Sequence, residues 1–270
     1  MEINKVEMVE EIFDIDWGLE AIDAPYAWGK TRGEGVKIVV IDSGLDTSHP
    51  DIIDNIKFQY NTIEKSYDVS DSLGHGTHVA GLIAGRCTGV APMAELHVIK
   101  ALNEDGHGTT ADVMDGITYA INAEADILSI SLGAPYKIPL ILEQRIVDAY
   151  ERGITIVSAV GNDGNYQSLY PARLKEVIGV GGYDSNFELA SFSNREYNVL
   201  APSTNILSTY KDGKYARMSG TSFASPLVAG GIALLISHYR NQGKELTPQE
   251  IMNMVSGKFN LKELIDKSNK

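Results

Sequence analysis

Hydrophobic and polar positions alternate between two patterns along this chain. Val36-Lys37-Ile38-Val39-Val40-Ile41 and Ile154-Thr155-Ile156-Val157-Ser158-Ala159-Val160 are β-branched runs, as expected of strands buried on both faces. His97-Val98-Ile99-Lys100-Ala101-Leu102 and Asp126-Ile127-Leu128-Ser129-Ile130-Ser131 read the same way. Between these runs, residues 109–123 place Val113, Ile117, Ala120 and Ile121 at helical spacing, and residues 138–152 form a second amphipathic stretch. Residues 177–181, 197–201 and 206–209 are strand-like. Thr247-Pro248-Gln249-Glu250 opens a late helix, with Thr as cap, Pro first and Glu third. Alternation from residue 36 to about 160 predicts an α/β fold of three layers, a mostly parallel central sheet with helices on both faces.

Two further segments are rich in small residues, which let backbones approach closely. One runs Leu73-Gly74-His75-Gly76-Thr77-His78-Val79-Ala80-Gly81-Leu82, with His75 at the start of a predicted helix. The other runs Ser219-Gly220-Thr221-Ser222-Phe223-Ala224-Ser225-Pro226 and continues apolar to Ile236. Thr221 is a good N-cap type, which puts Ser222 in the first turn, where free N–H groups and the helix dipole favour negative charge. Pro226 is tolerable only near a helix start.

With 270 residues, 43% of them hydrophobic, the chain can bury one large core, and residues 17–270 read as a single domain. Residues 1–16 read as a polar, acidic N-terminal extension, either a flexible arm or a segment docked on the body. A net charge of −13 argues against phosphate-directed nucleic-acid binding. The chain start has no apolar signal core, and no apolar run is seen to approach the ~18 residues of a membrane span, so no membrane association is expected. A cytoplasmic protein is the expectation, with the mature part of a secreted one as the alternative. The single cysteine, Cys87, forms no intrachain disulfide and reads as a buried, inert thiol. His75 and His78 share helical spacing but lack a His-Glu-x-x-His pattern, so no metal is assigned to them.

The chemistry lies at glycine-bounded ends. Asp42 closes the first strand in Asp42-Ser43-Gly44, and Asn162 follows a later one in Gly161-Asn162-Asp163-Gly164. Sites in open α/β sheets lie beyond such carboxyl ends. A serine hydroxyl needs a base, an imidazole near neutral pH supplies one, and a carboxylate fixes the imidazole's tautomer. Asp42, His75 and Ser222 have those chemistries, and Asn162 adds an amide donor for an oxyanion.

The blocks around Asp42, His75 and Ser222, in that order, resemble the signature blocks of the subtilisin family of serine proteases. Ser158-Ala159-Val160-Gly161-Asn162 resembles its oxyanion block, and Ser129-Ile130-Ser131-Leu132-Gly133 its substrate-binding strand. The resemblance covers about residues 17–257. It implies a serine endopeptidase of broad specificity acting on polypeptides through an acyl-enzyme, with Ser222 as nucleophile, His75 as base then acid, and Asp42 as orienter. Asn162 and the Ser222 N–H would hold the oxyanion. Gly106-His107-Gly108 and Ser131-Leu132-Gly133 would flank an extended substrate, with Gly161 beside them. A catalytically silent peptide binder on the same fold is the alternative. A lipase is not, because Ser222 lacks a Gly-x-Ser-x-Gly setting.

The chain also departs from that family. Gly85-Arg86-Cys87-Thr88-Gly89 is shorter than the loop supplying most ligands of the family's tight calcium site, leaving Asp51 without those partners. The chemistry requires no cofactor; structural calcium at that site is doubted, and a weaker calcium site elsewhere stays open. Leu169 falls near the base of the expected primary pocket and would narrow it. The short N-terminal extension resembles that of intracellular subtilisins, which block the site until cleaved, although the first proline here is Pro25. No oligomeric state is assigned.

Overall fold

The computed structural model describes residues 6–10, 12 and 14–268. In chain order they form β1 (Glu7–Val9), α1 (Trp17–Ala21), α2 (Ala24–Trp28), β2 (Lys37–Asp42) and β3 (Ile56–Asn61). Next come α3 (His75–Ala84), β4 (Glu95–Lys100), α4 (Thr110–Asn122), β5 (Ile127–Ile130), α5 (Leu140–Glu151) and β6 (Thr155–Ala159). Strands β7 (Val177–Tyr183), β8 (Val199–Pro202), β9 (Ile206–Tyr210) and β10 (Lys214–Met218) lead to α6 (Thr221–Arg240). The chain closes with α7 (Pro248–Val255), β11 (Gly257–Lys258) and α8 (Leu261–Ser268).

Eight strands form one sheet in the order β11-β8-β7-β6-β5-β2-β4-β3, every neighbouring pair parallel. Successive residues of β2 serve opposite faces, as strand geometry requires. Ile38 and Val40 join the core under α3 and α6, whereas Val39 and Ile41 join the core under α4 and α5. This is the expected three-layer architecture. Within it, the carboxyl ends of β2, β5 and β6 lie side by side, because β5 pairs with both β2 and β6.

Local signals explain the helix boundaries. Thr109 caps α4 and Thr247 caps α7, each in a reciprocal capping box with Asp112 or Glu250. The cap of α6 differs from expectation. Gly220 occupies it, and Thr221 is the first helical residue, because the Thr221 hydroxyl is drawn to Asn162 instead. Pro226 lies inside α6 and, having no N–H, leaves the Ser222 carbonyl without a helical donor. By length and composition α6 could cross a membrane, contrary to the reading of the apolar runs. Its most apolar stretch is 94% buried within the fold, as a core helix.

The first sixteen residues contribute a strand. β1 pairs antiparallel with β10, Glu7 opposite Arg217 and Val9 opposite Tyr215, and β10 pairs with β9. Residues 1–5, 11 and 13 of that segment lie outside the described residues.

Candidate active site

β2 delivers Asp42, fully buried, to the carboxyl edge of the sheet. Its Oδ1 accepts the Ser43 backbone N–H at 2.7 Å and His75 Nδ1 at 2.7 Å. A carboxylate in this setting only accepts, so Nδ1 carries the proton and Nε2 is left as the basic atom. Asp42 Oδ2 is buried without a hydrogen-bond partner among the described residues. Burial pushes the His75 imidazole down, but the Asp42 charge and hydrogen bond, with the Asp71 charge behind them, leave it above its ordinary value.

Glycines let α3 start this close to β2. Gly74, at φ +84°, caps α3 with its Cα against the Tyr210 ring, where a Cβ would come within 2.3 Å. A Cβ on Gly76 would stand 2.2 Å from the Gly44 carbonyl oxygen. His78, three residues on, points the other way into the core. Its Nε2 lies 3.1 Å from the Ala216 carbonyl and 3.2 Å from that of Ile206, its ring packs edge-on to Phe223, and burial drives its pKa down to about 3. It is a neutral, hydrogen-bonded core group.

Ser222 is the second residue of α6, and its hydroxyl donates to the Ser131 carbonyl at 3.3 Å. The hydroxyl proton is thus turned to Ser131, and no Ser222–His75 hydrogen bond is formed among the described residues. A nucleophile–base bond is often long or poorly aligned in a free site and tightens with substrate. Asn162 follows β6, and its Oδ1 accepts both the Thr221 N–H at 2.7 Å and the Thr221 hydroxyl at 3.0 Å. With that oxygen engaged, the Nδ2 hydrogens remain as the amide's donors.

Two cavities meet along residues 131–133. One, of about 510 Å3, is bounded by His75, Gly106, His107, Gly108, Ser131, Leu132 and Gly133, with Leu102, Val113, Ile138 and Leu142 making it apolar. The other, of about 250 Å3, is bounded by Ser131, Leu132, Gly133, Gly161, Asn162, Thr221, Ser222 and Leu169. The structure thus brings every predicted site residue except buried Asp42 to the cavity walls. Leu169 is inserted between two glycine walls. A Cβ on Gly133 would be 3.0 Å from Leu169 Cδ1, and one on Gly161 would be 2.6 Å from its Cγ.

Sequence reasoning missed Thr221, Asn194 and Asp71. Asn194 donates to the Val160 carbonyl and accepts the Asp163 and Asn165 N–H groups, which shapes the loop bearing Asn162. Asp71, in a plain Ser-Asp-Ser loop, carries no sequence signal beyond its nearness to Gly74.

The shortened loop does not fit a calcium ion at Asp51. That carboxylate is buried, and its two oxygens accept the Cys87 N–H at 2.9 Å and the Thr88 hydroxyl at 3.1 Å. Hydrogen-bond donors occupy the lone pairs a hard cation needs. Among the described residues no group of three His, Cys, Asp or Glu side chains is placed to hold a metal. Cys87 itself is exposed rather than buried, and partial burial and the Asp51 contact push its thiol up, away from thiolate reactivity.

A serine at a helix start, an amide donor in the same cavity and, on the adjoining cavity, an imidazole tied to a buried carboxylate are the parts of a serine hydrolase on a parallel sheet. Sequence comparison narrows that class. A sequence model of the Subtilase family matches residues 33–267, and the chain belongs to that family of subtilisin-like serine endopeptidases. It is 39% identical over 250 residues to the major intracellular serine protease of Bacillus subtilis (strain 168), covering 86% of this chain and 78% of the relative. It is 40% identical over 246 residues to an intracellular serine protease of Paenibacillus polymyxa, covering 85% and 75%. Subtilisin BL of Lederbergia lenta is 39% identical over 229 residues, covering 82% of this chain and 84% of that protein. Subtilase chemistry requires no cofactor and acts on polypeptides.

Proposed function

We propose that this endopeptidase works through Asp42, His75 and Ser222, by an acyl-enzyme, on extended polypeptide segments. Ser222 Oγ attacks the scissile carbonyl carbon as its proton passes to His75 Nε2, and Asp42 stabilises the imidazolium. The carbonyl oxygen, now an oxyanion, is held by the Asn162 amide and the Ser222 N–H at the positive end of α6. His75 then gives the proton to the leaving amine, and water repeats the sequence on the acyl group. The observation that carries this reading is the 2.7 Å Asp42–His75 bond, which leaves Nε2 as the basic atom of a residue lining the larger cavity. That cavity meets the one shared by Ser222 and Asn162 along residues 131–133.

Residues 106–108 and 131–133 border the groove, and backbone pairing with such segments is tolerant of sequence. Breadth is therefore expected along most of the substrate. Leu169 narrows the position next to Ser222, which favours small side chains there. The names of two relatives support an intracellular setting for this chain, and we place it in the cytoplasm, with neither nucleic acid nor membrane as partner.

Intact-mass spectrometry of the protein and its Ser222→Ala variant, each treated with a fluorophosphonate, tests the reading. One adduct on the wild type and none on the variant is expected. No wild-type adduct, also after removal of residues 1–16, would reject it in favour of a silent peptide binder. The same truncation tests whether that extension is inhibitory, since β1 lies on β10, the strand leading into the Ser222 turn. Faster peptide hydrolysis after deletion is expected; an unchanged rate removes the extension from regulation.

A further inference from the structure

The first turn of α3 has no side-chain cap of its own, since Gly74 holds the cap position. Two backbone donors at that start, the Gly74 and Thr77 N–H groups, go instead to a carboxylate outside the helix. Asp71 Oδ1 accepts the Gly74 N–H at 2.8 Å and the Ser43 hydroxyl at 2.9 Å. Its Oδ2 accepts the Thr77 N–H at 2.8 Å and the Thr77 hydroxyl at 2.7 Å. Ser43 Oγ in turn accepts the Gly76 N–H at 2.9 Å, and Thr77 Oγ accepts the Asp46 N–H at 2.9 Å. Each hydroxyl gives one hydrogen and takes one, so the network is closed and its polarity has one solution.

We propose that Asp71 is a positioning residue for His75, its carboxylate clamping the loop after β2 to the first turn of α3 and so fixing the imidazole against Asp42. The inference rests on the reading of His75 as general base. The clamp requires a carboxylate. All four partners are donors, two at each oxygen, and an amide would accept at one end while presenting N–H to donors at the other. Ser43 also supplies the backbone N–H on Asp42 Oδ1, so one residue links both carboxylates. A negative charge is favoured there as well, because the N-terminus of α3 carries the positive end of its dipole.

That charge also acts on His75. The other titratable groups near the imidazole are Asp42 on β2, His78 on α3, Asp105 and His107 on the loop lining the same cavity, and Tyr210 on β9, whose ring packs on Gly74. Lys100 on β4 binds the Ser43 carbonyl, and Lys211 after β9 binds the Ser72 carbonyl. Within this set Asp42 and Asp71 both favour the imidazolium. Removing the charge at 71 moves the His75 titration to lower pH, whereas a change that leaves the charge in place does not.

Two variants separate the roles. Asp71→Asn should lower kcat about tenfold or more with little change in KM, because a small displacement of a catalytic group is enough. The acid limb of its kcat/KM–pH profile should shift to lower pH. Ser43→Ala breaks the tie to the loop after β2 but keeps the Asp71 charge, so kcat falls and the acid limb stays. Wild-type kcat with an unmoved limb in Asp71→Asn would overturn the proposal, whatever its loss of thermal stability. If Asp71→Asn does not fold, Ser43→Ala decides: a loss in kcat below about fivefold overturns the clamp and a larger one supports it. NMR titration of the His75 ring in wild type and Asp71→Asn needs no turnover. Equal midpoints there would sink the proposal even if the wild type took no fluorophosphonate, an outcome that by itself would count only against the proteolytic reading.

Discussion

Asn162 shows how much of a site can depend on one rotatable amide. Its oxygen takes both the N–H and the hydroxyl of Thr221, which leaves its hydrogens for the proposed role at the oxyanion. Asn162→Ala should lower kcat by about 10²–10³-fold with KM little changed, the magnitude known from a subtilisin's own oxyanion amide. A loss under about tenfold in steady-state peptide hydrolysis would remove Asn162 from that role. Leu169 makes the opposite kind of contribution, by taking up space. Leu169→Gly should raise kcat/KM for peptides with a large apolar residue at the cleavage site, relative to those with alanine, by about tenfold or more. An unchanged ratio would mean that the leucine yields to substrate. The identities of the chemical groups were legible in the sequence because each sits in a glycine-bounded block. Thr221 was read as a cap because its type fits, and only the proximity of Asn162 across the fold explains why it serves that amide instead.

At the scale of elements, α3 is held at its start and along one side. Asp71 and Ser43 hold its start, and β9 packs along its flank with Ser208 and Thr209 donating to the His78 and Thr77 carbonyls. Gly81 permits this contact, since a Cβ there would lie 2.1 Å from Thr209 Oγ1 and 2.4 Å from Ser208 Oγ. Gly81→Ala should therefore cost about 1–3 kcal/mol by overpacking. Urea unfolding in a Ser222→Ala background, where self-digestion is removed, measures it, and a neutral result would show that β9 can retreat. The central parallel strands and the Thr247 capping box were legible because local pattern alone specifies them. β1, β3, β10 and β11 were not. β1 and β11 are short, and their strand state comes from a partner distant in sequence, as with Glu7 opposite Arg217.

Across the whole molecule, two histidines on one helix give acid stability opposite slopes. His78 is held neutral, with a folded pKa of about 3 against an ordinary 6.5. The stability it contributes is complete above pH 6.5 and is lost as pH falls toward 3, because the unfolded chain takes up a proton that the fold refuses. His75, raised above 6.5, contributes stability below that pH, and it is lost as pH rises through its folded pKa. The urea midpoint of the Ser222→Ala protein should fall on acidification below pH 6.5, His78 accounting for at most about 1.4 kcal/mol per pH unit. His78→Gln should flatten that slope, and an unaltered slope would assign it to the carboxylates. The sheet order has a further consequence. Asp42 emerges early in synthesis and Ser222 late, on a core helix that packs against α3 and beneath β5, β6 and β7. On the proposed triad, a chain still being translated holds a carboxylate and an imidazole with no nucleophile. Proteolytic capacity then awaits the placing of α6, and the unfinished chain has no means of cutting its neighbours while it is being made.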